Sequence, residues 1–170
     1  MNVKVALTGQ YHAALGMLRQ AIEICPDELW AGGAYPVPFW QVAYHTLWYT
    51  HLYLQPNEEA FVLWEHHREG HNDLPWPVES GPTLSEPYTK AQLLDYWKLV
   101  DARVDADVDR LDLGALESGF SWHKTIPKLD HQIQNIRHIQ HHAALLAGRL
   151  RLANGSDVRW VRRNSEMYIA

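Results

Sequence analysis

Asn135-Ile136-Arg137-His138-Ile139-Gln140-His141-His142-Ala143-Ala144-Leu145-Leu146 is the stretch on which the reading of this chain turns. It sits in a longer segment that Pro127 opens and Asn154-Gly155 closes, with apolar residues at helical spacing between. Proline suits the first turn of a helix and glycine the residue after its end, so the segment reads as one long helix through Leu152. Within it His138 and His142 stand four apart. Four residues turn a helix by about 40° and advance it about 6 Å, so the two imidazoles can converge on one point above its surface. That spacing fits a metal ion, and a third ligand has to come from elsewhere in the chain.

The position of these histidines around the helix sharpens the argument. At about 100° per residue with His131 at zero, Asn135, His138, His142 and Arg149 all fall within about 40° of it. The apolar positions Leu129, Ile136, Ile139, Ala143, Leu146 and Leu150 lie between about 60° and 160°, so the polar stripe borders the face that meets the core. A lined pocket would form there. His141 falls near −80°, on the solvent side, and reads as a surface residue.

Outward from this helix, three more segments carry helical periodicity. Tyr11 to Ile24 places Ala14, Leu15, Leu18, Ala21 and Ile22 on one face and is interrupted by Pro26. Phe39 to Tyr53 is apolar and aromatic on most sides, which predicts a largely buried helix. Thr89 followed by Gln92 matches a capping box, ahead of Leu93, Leu94, Trp97, Val100, Val104 and Val108 near one face. The connection from Glu58 to Pro87 is rich in proline and turn residues, so only a short helix near Glu58 to His66 is expected in it. The His-rich run Glu65 to His71 reads as an exposed turn because Gly70 and Pro75 oppose a regular helix. The sum is an all-α four-helix bundle with a long crossover between its second and third helices, filling residues 1–170 as a single domain.

His45 is the leading candidate for the third ligand. Gln41, Tyr49 and Leu52 share its side of the second helix within about 40°, whereas His51 lies about 120° away. Alone, His45 reads first as a core histidine bonded to a backbone carbonyl. Beside a ligand pair on an adjacent helix it completes a three-histidine site, and three imidazoles with open positions are typical of catalytic rather than closed structural sites. Tyr49 and Asn135, each about one turn from a candidate ligand, can orient a substrate or water; Arg149 can meet an anionic group if the pocket extends that far. Each also has a purely structural reading, as a core or surface-paired residue. A ferritin-like di-iron site would need Glu-x-x-His pairs and further inward carboxylates, and the last helix offers only Asp130 near its start.

Composition narrows the rest. The chain is 46% hydrophobic and 21% charged, with 8 Trp and 8 Tyr, a globular balance. Its formal net charge of −5, with Lys and Arg scattered apart from Arg159, Arg162 and Arg163, argues against a nucleic-acid surface. No segment approaches the roughly 20 apolar residues of a membrane span, and the N-terminal apolar stretch is too short for a signal peptide, so the chain reads as cytoplasmic. Cys25 is the only cysteine, which excludes an internal disulfide and a multi-cysteine zinc site. Before Pro26 it reads as a small apolar residue at a helix end. Trp160, in the tail after the last helix, is expected to pack back on the bundle or across a dimer, the first being favoured.

Three stretches together resemble the DinB-like (DinB/YfiT-like) superfamily of metal-dependent four-helix bundles: Cys25-Pro26-Asp27-Glu28-Leu29-Trp30, Phe39-Trp40-Gln41-Val42-Ala43-Tyr44-His45-Thr46-Leu47, and Asn135 to His142. The family signature is one histidine in the second helix and a pair spaced four apart in the last, matching His45, His138 and His142. The resemblance implies a divalent metal held by these three, nickel or zinc first, with manganese or iron as alternatives. It implies a metalloenzyme of the thiol-dependent S-transferase or hydrolase class, a small-molecule substrate with a low-molecular-weight thiol, and a homodimer. The alternative from a different class is a non-catalytic dimeric bundle in which a structural or regulatory metal ties two helices together.

Overall fold

The computed structural model describes residues 2–75, 84, 86–163 and 166–167 and is mostly helical. Helix α1 (Val3–Ile24) starts eight residues before the expected Tyr11. Asn2 accounts for this, because its side chain accepts hydrogen bonds from the amides of Lys4 and Val5 and so caps the first turn. The extra turns continue the buried face through Leu7 to Tyr11. Cys25 ends the helix in an extended conformation, as the residue before a proline must, and is buried. A single turn not anticipated from the sequence, α2 (Asp27–Trp30), follows, and Trp30 Nε1 donates to the carbonyl of Tyr88 at 2.7 Å.

Helix α3 (Phe39–Tyr53) has the expected bounds and is buried on nearly every side. Helix α4 (Lys90–Arg110) begins at the expected capping box, with both reciprocal bonds between Thr89 and Gln92 formed. Helix α5 (Lys128–Asn154) is preceded by Pro127 and ends at Gly155, whose φ of 76° is the left-handed conformation that closes a helix. Helix α1 packs on α4 and α5, and α3 packs on the same two. Leu15, Leu18, Leu47, Tyr96, Val100, Ile139 and Leu146 are among the fully buried side chains between them. No helix among the described residues is long and apolar enough to cross a membrane.

The chain between α3 and α4 departs from expectation. No helix forms over Glu58 to His66; Trp64 instead anchors the segment, its ring stacked on Tyr96 at 4.4 Å and 7°. Burial of that indole fixes the path without helical hydrogen bonds. The run Glu65 to His71 is non-helical, but only partly exposed: His67 and His71 are half-buried, and His67 Nδ1 is hydrogen-bonded to the Tyr44 hydroxyl at 2.7 Å. The remainder of the expected crossover, residues 76–83 and 85, lies outside the described residues.

Beyond α5 the tail returns along α1 as a two-stranded hairpin, β1 (Val161–Arg163) and β2 (Glu166–Met167). Val158 and Val161 supply the buried contacts, and Gln20 bonds the backbone of Arg159 in both directions. Trp160, expected to pack inward, is 55% exposed. Its inward-pointing neighbour Val161 takes the place against α1, which leaves the adjacent Trp on the outer face of the strand.

Candidate metal centre

Helix α3 contributes His45 and helix α5 contributes His138 and His142, and one ring nitrogen from each lies within 4.8 Å of the other two. Among the described residues this is the one group of three or more metal-binding side chains so placed. The rings meet edge to face, with centroids 4.6 to 5.0 Å apart. His45 Nε2 and His138 Nε2 are 3.0 Å apart. Two bonds of about 2.0–2.1 Å to a common ion would span that separation.

The tautomer of His45 follows from its other contact. Its Nδ1 lies 2.7 Å from the backbone carbonyl of Asn72, and a carbonyl can only accept. Nδ1 therefore carries the hydrogen and Nε2 presents a lone pair toward His138. A second-sphere carbonyl that orients a ligand histidine in this way is a common feature of metal sites. The orienting group comes from the chain between α3 and α4, in a stretch where no periodic pattern marks it. Among the described residues the buried Nδ1 of His138 and of His142 has no partner, so packing rather than such a bond holds their rings.

Burial is the main reason all three imidazoles remain neutral. It pushes His45 down to about 4 and His138 to about 3, with the neighbouring imidazoles adding to the effect at His138. His142, 8% exposed and next to both, is lowered further still. Neutral lone-pair donors with no carboxylate among them suit zinc, nickel, copper or iron better than magnesium or calcium. The donor set therefore fits a divalent transition metal.

A cavity of about 270 Å³ adjoins the histidines. His45, Tyr49, His138 and Asn135 line it on one side, and Tyr53, His123 and Gln134 complete the wall. Tyr49 is placed by its hydroxyl, which donates to Asp73 Oδ1 at 3.1 Å, and its ring lies 4.7 Å from that of His45. Asn135 is fully buried, and its Nδ2 donates to the Tyr11 hydroxyl at 3.0 Å. That hydroxyl in turn donates to Gln132 Oε1 at 2.7 Å, so its oxygen can only accept from Asn135 and the orientation of the amide is set. Arg149 is buried but is not a wall residue: it donates to the carbonyl of Val37 at 2.8 Å and stacks on Tyr35 at 4.3 Å. His141 is exposed, as its place on the helix requires.

Tyr53, His123 and Gln134 were not singled out by sequence reasoning. His123 sits on a short 3₁₀ turn, Ser121–His123, where helical periodicity offers no signal. Tyr53 ends α3 two turns beyond His45 and about 80° around the helix from it, outside the range that selected Tyr49.

Neither family models, curated proteins nor solved structures match this chain. The three histidines and their cavity therefore carry the functional reading.

Proposed function

We propose that the protein is a divalent-metal-binding four-helix bundle of the DinB-like kind, in which His45, His138 and His142 hold the ion and the adjoining cavity receives a small molecule. The observation that supports this most is the convergence of three neutral ring nitrogens within 4.8 Å, one of them oriented by the Asn72 carbonyl, beside a lined cavity. Nickel or zinc is the leading ion, with manganese or iron as alternatives. Such an ion supplies Lewis acidity, which brings the pKa of water or a thiol toward neutrality and suits hydrolase or thiol-dependent transferase chemistry. The residues of the chain do the rest. Tyr49 and Asn135 line the cavity beside His45 and His138. We also propose a cytoplasmic homodimer acting on a small-molecule substrate, with a low-molecular-weight thiol as cosubstrate.

An alternative is a structural ion that ties α3 to α5. Cobalt substitution separates the two readings. The visible spectrum of the cobalt-loaded protein should change when azide is added, since a three-protein-ligand centre leaves positions for an exogenous anion. A tetrahedral spectrum that azide does not alter would refute the open centre and favour the structural one.

A further inference from the structure

The cavity beside the histidines has a far end that the metal reading does not use. His123 stands there, 5.8 Å from the ring of Tyr53, and Tyr53 continues through Tyr49 to His45 at ring spacings of 5.5 and 4.7 Å. One wall of the cavity is thus a row of rings leading from His123 to the metal centre. The backbone of His123 is pinned three times: its amide donates to Phe120 O, and its carbonyl accepts from Ser118 Oγ and from the Ile126 amide. His131 backs both rings, at 5.2 Å from His123 and 4.5 Å from Tyr53. These bonds fix the backbone from which the His123 ring projects.

The polar atoms of this end are uncommitted. Neither ring nitrogen of His123 has a hydrogen-bond partner among the described residues, and Nδ1 is buried. The Tyr53 hydroxyl oxygen accepts from Trp122 Nε1 at 3.2 Å, which leaves its own hydrogen to donate. Burial keeps His123 toward its neutral form. Among the described residues, no Asp, Glu, Lys or Arg lines the cavity.

We propose that His123 and Tyr53 form a specificity pocket that selects ligands with an uncharged hydrogen-bonding tail, a hydroxyl or amide, on a molecule whose other end sits at the three histidines. The inference rests on the metal-centre reading and adds the class of ligand. The unpartnered neutral imidazole offers one donor and one acceptor and the phenolic hydrogen a further donor, which suits a hydroxyl or a primary amide. A carboxylate or ammonium tail at that end would lose hydration with no opposite charge among the described lining residues to meet it. Sites that hydrogen-bond a polar group discriminate well against analogues that lack it, because the pocket's own groups are then left unpaired. The volume of about 270 Å³ is the scale of a small molecule.

The test uses full-length cobalt-loaded protein and three acyl hydroxamates of equal chain length, ending in hydroxyl, methyl or carboxylate. Binding is read from the visible spectrum and metal content from elemental analysis. The hydroxyl-ended probe should bind up to about tenfold tighter than the methyl-ended one, the range of a single net hydrogen bond, and the carboxylate-ended probe should bind weakest. His123→Ala should erase the preference for hydroxyl over methyl while leaving metal content unchanged. His123→Gln, which retains hydrogen-bonding capacity, should restore part of it. Cobalt-loaded protein that binds all three alike, or a His123→Ala variant with the wild-type order, overturns this inference alone. A wild type that takes up no cobalt overturns the metal centre and this inference with it.

Discussion

Adding metal should raise the thermal stability of this protein by an amount that the position of the site makes calculable. His45 and His138 lie 93 residues apart in the chain and meet only when α3 packs on α5, so the site does not exist in the unfolded chain. A ligand bound only by the folded state stabilises it by RT ln(1 + [L]/Kd), about 2.7 kcal/mol at a free concentration one hundred times Kd. For a domain of this length each kcal/mol moves Tm by about 2–4 °C, so the expected rise is about 5–11 °C. Differential scanning fluorimetry of chelator-treated protein, with and without zinc or nickel, measures it. His45→Ala, His138→Ala and His142→Ala should each abolish most of the rise. His141→Ala should keep it, because that side chain is exposed on the opposite side of the stripe. A rise of the same size in His45→Ala as in wild type would refute the argument, since the metal would then be bound elsewhere.

Three further outcomes follow from the packing and charge of the fold. His51 and His131 are buried and held neutral chiefly by desolvation, each down to about 4, so the unfolded chain binds more protons below its usual histidine value of 6.5. Their contribution is present above that value and lost as the pH falls toward 4; urea midpoints should drop between pH 7 and pH 5 by the equivalent of about 1–2 kcal/mol per histidine, and an unchanged midpoint would contradict it. His12 behaves oppositely: Asp101 at 2.7 Å, aided by Asp105, raises it to about 9, so this link between α1 and α4 is complete below 6.5 and lost as pH rises through 9. Asp101→Asn should flatten the stability profile between pH 7 and 9.5, and an unaltered slope would remove His12 from the account. Trp64→Ala should cost about 3–5 kcal/mol by leaving a cavity against Tyr96, measured by chemical denaturation; a loss under 1 kcal/mol would mean that the indole does not anchor the segment.

The helices that place the site were legible because their ends carry chemistry that propensity arguments recognise. Thr89 with Gln92, Pro127 and Gly155 mark three of those ends, and the apolar run from Phe39 to Tyr53 needed only its flanking prolines. The start of α1 was hidden because its first apolar residues, Val3, Val5 and Ala6, are exposed, and only the side chain of Asn2 signals the cap. The three histidines were brought together by spacing and by their place on two helix faces, both properties of local geometry. The carbonyl that orients His45 was not legible, since a backbone group has no sequence signature and Asn72 lies in an irregular stretch. Arg149 shows the limit from the other direction. Its place on the polar stripe is correct, but its reach is decided by Val37 and Tyr35 in the loop before α3, a tertiary neighbour that no wheel of α5 contains.

Metal content of the purified protein, prepared without a metal-affinity tag, tests the central claim most directly. Elemental analysis of wild type beside His45→Ala, His138→Ala and His142→Ala should find close to one divalent transition metal per chain in the first and loss of it in each variant. Wild-type protein that carries no metal and takes up none from zinc, nickel or manganese would contradict the account.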